Sequence, residues 1–93
     1  MEHRLYRKAT DFDVSLTTRM GEMHATVTNV HPYGARLRLL SDHGDLSTTV
    51  VLDLNGKGHA AQVMWQHETD VGVRFVTPLD VETVAMVARK IGG

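Results

Sequence analysis

The chain has 93 residues, no cysteine and a formal net charge of -1. That length predicts one domain over 1–93 with a small core. The missing cysteines exclude disulfides and thiolate metal sites and favour an intracellular setting. The near-neutral balance argues against a nucleic-acid polymer as partner, since such binders carry a basic excess. No apolar run approaches the ~20 residues of a bilayer span, and the polar start from Glu2 is unlike a secretory leader, so membrane insertion is not expected.

Residues 1–10 read as a basic arm. Between positions 2 and 8, Arg4, Arg7 and Lys8 stand against Glu2, three cations minus one carboxylate, or +2. Residues 11–76 have the period-2 patterning of β-strands. Phe12, Val14 and Leu16 alternate with Asp11, Asp13, Ser15 and Thr17 in a first strand. After a turn at Met20-Gly21-Glu22, Met23, Ala25 and Val27, with Asn29 next in phase, share one face of a second strand. Pro32-Tyr33-Gly34 breaks the pattern. Ala35, Leu37 and Leu39 then alternate with Arg36 and Arg38, which places both arginines on the outer face of a third strand. Residues 41–45 have loop chemistry, and 48–54 form a Val- and Thr-rich fourth strand. Asn55-Gly56 marks a hairpin, because both central residues of a type I′ turn need positive φ. Ala61, Val63 and Trp65 alternate in a fifth strand, a turn falls at Glu68-Thr69-Asp70, and Val71, Val73 and Phe75 alternate in a sixth. Asp80 is placed to cap a helix over 80–91. Val81, Val84, Ala85, Ala88 and Ile91 lie on one helical face, and Arg89 and Lys90 suit the last turn. The fold class that follows is all-β with one terminal helix: a six-stranded antiparallel β-barrel closed by a C-terminal α-helix.

The chemistry-bearing residues gather at two places, the arm and the stretch Asn29-Val30-His31-Pro32-Tyr33-Gly34. An arginine fork donates two hydrogen bonds to a guanine edge or clamps a phosphate, and its planar face stacks on a base. The alternative for Arg4, Arg7 and Lys8 is a solvated basic terminus. Asn29 offers one acceptor and two donors, a match for a guanine edge, or else caps its own loop. Gly34 supplies positive φ or lets backbone approach a ligand closely. His31 keeps one donor when neutral and attracts phosphate when protonated, which would strengthen binding in mild acid; otherwise it is a surface turn residue. Trp65 can stack on a base, but its alternation with Ala61 and Val63 assigns it to the core. The six histidines show no metal-ligand spacing, and no serine occupies a nucleophile elbow. No enzyme, metal site or cofactor is expected.

In this order the elements resemble a PilZ domain over nearly the whole chain. The resemblance rests on the arginine-bearing arm before the first strand and on a turn of the form Asp/Asn-x-Ser-x-x-Gly, matched here by Asn29 and Gly34. It continues through Gly44-Asp45 before Val50-Val51-Leu52, Val63-Met64-Trp65, Gly72-Val73-Arg74-Phe75 and the terminal helix. It implies a cytoplasmic bacterial receptor for the second messenger cyclic di-GMP. In such domains an Arg-x-x-x-Arg arm wraps the dinucleotide, and the turn contacts a guanine and the phosphates. Arg7 matches the second arginine. The first falls on His3, with Arg4 one place away, and Lys8 is an alternative partner for Arg4. The serine position is His31. The implied ligand residues are therefore Arg4, Arg7, Lys8, Asn29, His31 and Gly34, with His3 and Arg36 as auxiliaries. Such a receptor signals through a downstream protein. A barrel that has lost the ligand and works as a protein–protein adaptor is the alternative. A binder of single-stranded nucleic acid, which needs a basic groove with stacking aromatics, fits least well.

Overall fold

A computed structural model describes residues 12–40, 46 and 48–92. Six strands appear in chain order: β1 (Phe12–Thr18), β2 (Gly21–His31), β3 (Gly34–Leu39), β4 (Thr49–Leu54), β5 (Lys57–His67) and β6 (Asp70–Phe75). They are followed by the helix α1 (Val81–Gly92). Every neighbouring pair is antiparallel, and the sheet closes in the order β1-β2-β3-β6-β5-β4. Among the described strands, closure leaves none at an edge for another chain to extend.

Alternation fills the interior. Val14 and Leu16 of β1, Ala25 and Val27 of β2, and Leu37 and Leu39 of β3 are buried. They meet Val50, Leu52 and Leu54 of β4, Ala61 of β5, and Val71, Val73 and Phe75 of β6 in one core. Leu16 and Leu52 are opposite each other where β1 meets β4, so the seam that closes the barrel is apolar. The turns follow from local chemistry. Asn55 and Gly56 have φ of 57° and 83°, as a type I′ hairpin requires. The turn between β1 and β2 falls one residue earlier than its sequence suggests, because Gly21 already pairs with Thr18. The Thr18 hydroxyl donates to the Gly21 carbonyl and accepts from the Met20 N–H, both at 3.1 Å. Gly21 itself adopts φ of 120°, open to glycine but strained for other residues.

Asp80 caps α1: its carboxylate accepts from the Thr83 N–H at 2.8 Å. These hydrogen bonds from the Thr83 side chain and backbone hold the Asp80 carboxyl below the usual aspartate range. The buried stripe of α1 differs from the expected one. Val87 is fully buried and Val84, Met86 and Ile91 pack against the core, while Val81 is 80% exposed and Ala88 is exposed. The helix is apolar at too many positions for periodicity to fix one face. Docking against β2 and β1 selects the stripe through Val84, Val87 and Ile91. No described helix is long and apolar enough to cross a membrane.

Candidate functional site

A groove of about 380 Å³ crosses the outer wall where β2, β3, β6 and β5 run side by side. Asn29, His31, Gly34, Arg36, Trp65 and Arg74 line it, along with Tyr33 and Met64, and none of the described residues lining it is acidic. Two irregularities of the ladder build it. Val27 pairs with Leu37 but Asn29 pairs with Arg36, so Thr28 is an extra residue in β2. Val63 pairs with Val73 but Trp65 pairs with Gly72, so Met64 is an extra residue in β5. Each β-bulge shifts the alternation of its strand by one. Asn29 and Trp65, which strict period 2 assigns to the inner face with Val27 and Val63, therefore point outward. Trp65 is not a core residue: it is 43% exposed. The Thr28 hydroxyl donates to the Arg36 carbonyl at 3.1 Å, which satisfies a backbone acceptor beside the disrupted ladder.

The consequence is a single cross-strand row on the outer face, Asn29–Arg36–Gly72–Trp65, through four adjacent strands. Gly72 has no Cβ, and one placed there would overlap the pyrrole side of the Trp65 indole. The ring therefore lies on the β6 backbone. The Arg36 guanidinium is over that ring, 5.4 Å from its centroid. The next row joins His31, Gly34 and Arg74. Among the described residues, neither Arg36 nor Arg74 has a carboxylate partner, whereas Arg38 outside the groove meets Asp70 at 3.3 Å. Two guanidinium groups thus stand in a groove with no compensating acid among the described residues.

The corner between β2 and β3 is tighter than the polar run suggested. Asn29 and His31 belong to β2, and only Pro32 and Tyr33 form the turn. The turn is held from behind: the Pro32 carbonyl accepts from the Leu79 N–H at 2.8 Å and the Tyr33 carbonyl from the Phe75 N–H at 2.9 Å. His31 Nδ1 accepts from the Tyr33 N–H at 3.3 Å. In the neutral ring this puts the proton on Nε2. Gly34 is needed for space, not for positive φ. Its backbone lies outside the left-handed region, and a Cβ there would approach the Val73 carbonyl to 2.5 Å.

Of the expected ligand residues, Asn29, His31 and Gly34 come together in this groove, and Arg36 joins them. His3, Arg4, Arg7 and Lys8 lie outside the described residues, as do Asp11 and the Gly44-Asp45 pair. The described chain begins at Phe12, opposite Val27, next to the β2 bulge. Arg74 and Met64 escaped the sequence reading. Alternation in β6 places Arg74 outward, but only the β3–β6 pairing brings it beside Gly34.

A second depression, of about 360 Å³, lies at the start of α1 between Lys57, His59, Asp80 and Thr83. There the Asp80 carboxylate already serves as the helix cap. Among the described residues no three His, Cys, Asp or Glu side chains are grouped to hold a metal ion. No protein-family model, no curated protein and no solved structure matches the chain.

Proposed function

We propose that this barrel is a PilZ-like receptor for cyclic di-GMP that signals through a protein partner and performs no catalysis. One observation carries the reading. The residues that match the family's turn, Asn29 and Gly34, share a groove with an indole and with the guanidinium groups of Arg36 and Arg74, neither of which has a carboxylate partner among the described residues. A guanine nucleotide asks for these features: an amide for the base edge, planar cations for phosphates and an aromatic face. The start of β1 beside the β2 bulge supports Arg4, Arg7 and Lys8, with His3, as a cationic cover for the same groove. In this reading His31 Nε2–H takes the donor role that serine fills in the family's turn.

Calorimetric titration of the full chain with cyclic di-GMP tests the proposal. Saturable heat and a ligand-dependent rise in Tm are expected, and Arg7→Ala should abolish both. A wild-type titration without heat or Tm shift would overturn the receptor reading. The adaptor reading would then stand in its place. It is favoured by the exposed Tyr33, Met64 and Trp65 around the groove, a cluster of types enriched in protein interfaces.

A further inference from the structure

The chain has five methionines, and those described fall into different chemical settings. Met23 and Met86 pack against the core, where the thioether is an apolar gap-filler. Met20, in the turn after β1, and Met64, in β5, are 63% and 57% exposed. Among these four, Met64 alone lines the groove. Its place in the ladder is specific. On β5, Gln62 begins the outer row through Arg74 and Gly34, and Trp65 begins the row through Gly72 and Arg36. Val63 packs against the core, so the extra residue Met64 is the outward side chain between those two rows. It shares the groove with both guanidinium groups, neither of which has a carboxylate partner among the described residues. A thioether is a weak acceptor and offers those donors little.

We infer that Met64 is a reversible oxidation site whose sulfoxide is held by Arg36 and Arg74 and closes the groove to anions. The oxidant is a peroxide such as hydrogen peroxide. A sulfur lone pair attacks one peroxide oxygen, the O–O bond breaks, and the other oxygen leaves as water after a proton shift. Sulfur gives up two electrons and the peroxide accepts them. The product has a polarised S–O bond with a strong acceptor oxygen. It takes charge-assisted hydrogen bonds from guanidinium groups that the thioether could not engage. The flexible apolar side chain becomes a polar one bridging the rows. Methionine sulfoxide reductases return the thioether, so the change is a switch. The capture follows from the placement of Met64. Its effect on binding rests on the proposed nucleotide site, where Arg36 and Arg74 are the phosphate contacts.

Peroxide treatment of the full chain tests the proposal. Peptide mass mapping should show one added oxygen on Met64 and on Met20 before Met23 and Met86 react, with Trp65 unmodified. The Arg36 and Arg74 Nε–H resonances should shift on oxidation in wild type and in Met20→Leu, and stay in place in Met64→Leu. Oxidation should weaken the binding of cyclic di-GMP about 5- to 10-fold by calorimetry. The reductase should restore it, and Met64→Leu should be insensitive to peroxide. Met64→Gln, checked for folding by its circular-dichroism melt, carries an acceptor oxygen at the same place and should weaken binding without peroxide. Met64 that resists peroxide while Met20 is converted would overturn the proposal, as would arginine resonances that do not move. Equal nucleotide affinity before and after oxidation would overturn it too, while leaving the receptor reading intact. Shifted arginine resonances with no heat from cyclic di-GMP in either state would sustain the capture and overturn the receptor reading.

Discussion

The wall around β1 and β4 and the wall around β3 and β6 use the same antiparallel ladder and differ by two residues. Where β1 pairs with β2 and β4, and β4 with β5, the register runs unbroken, with apolar side chains filling the inner face and, Val51 and Ala60 apart, mostly polar ones on the outer face. Across the barrel, Thr28 and Met64 bracket the Arg36–Gly72 row from opposite sides. In that part of the wall the outer face gains an amide and an indole laid on the β6 backbone. The regular wall is built for burial, and the bulged wall gives up local ladder bonds for a surface that can hold a ligand. Both share one core, so each can be perturbed separately.

The largest effect is expected on the regular side. Leu52 is fully buried at the seam with Leu16, and Leu52→Ala should cost about 2–5 kcal/mol, measured by chemical denaturation. A loss well under 1 kcal/mol would mean that closure between β1 and β4 does not hold the barrel together. A smaller effect is expected on the bulged side. Gly34→Ala forces a Cβ against the Val73 carbonyl, which neither strand can yield cheaply. It should destabilise by about 1–3 kcal/mol and narrow the groove, seen as a lower Tm together with weaker nucleotide binding. A variant as stable as wild type would show that β3 and β6 are less closely packed than described.

The smallest effect separates both walls from the helix. Asp80 is held in its charged form by its hydrogen bonds to Thr83. Its folded-state pKa is below the unfolded value of about 3.9, so in the window between the two the unfolded chain binds more protons. The cap therefore stabilises fully above that unfolded value and fades as pH falls through the folded one. Asp80→Asn keeps a capping oxygen without the titration. Its Tm should track that of wild type at neutral pH and fall less steeply in acid. A Tm difference that does not change with pH would remove Asp80 from the acid response.

The contrast between the walls also marks what could be read in the residues. Leu16, Leu37, Leu52 and Val71 announce themselves by strict alternation, and Asn55-Gly56 by the φ values that only such residues accept. These are local properties, and the barrel and its helix follow from them. The outward turn of Asn29 and Trp65 does not announce itself, because a bulge is decided by how two strands meet, and nothing in Thr28 or Met64 alone demands one. Arg74 is silent for the same reason: its neighbour Gly34 lies 40 positions away, on a strand that alternation cannot assign as a partner. Periodicity alone misplaces the stripe of α1, because valine and alanine surround the helix on several sides and the barrel does the choosing.

The two bulges give β2 and β5 something like a reading frame. In a loop, one residue more or less is absorbed by slack. In these strands a single deletion at Thr28 or Met64 would keep every remaining side chain and yet turn the outer surface inside out beyond that point, driving an amide or an indole toward the packed interior. Variation in length is therefore far less tolerable there than variation in composition. Descendants of this chain should drift in the identity of position 28 long before they lose either extra residue.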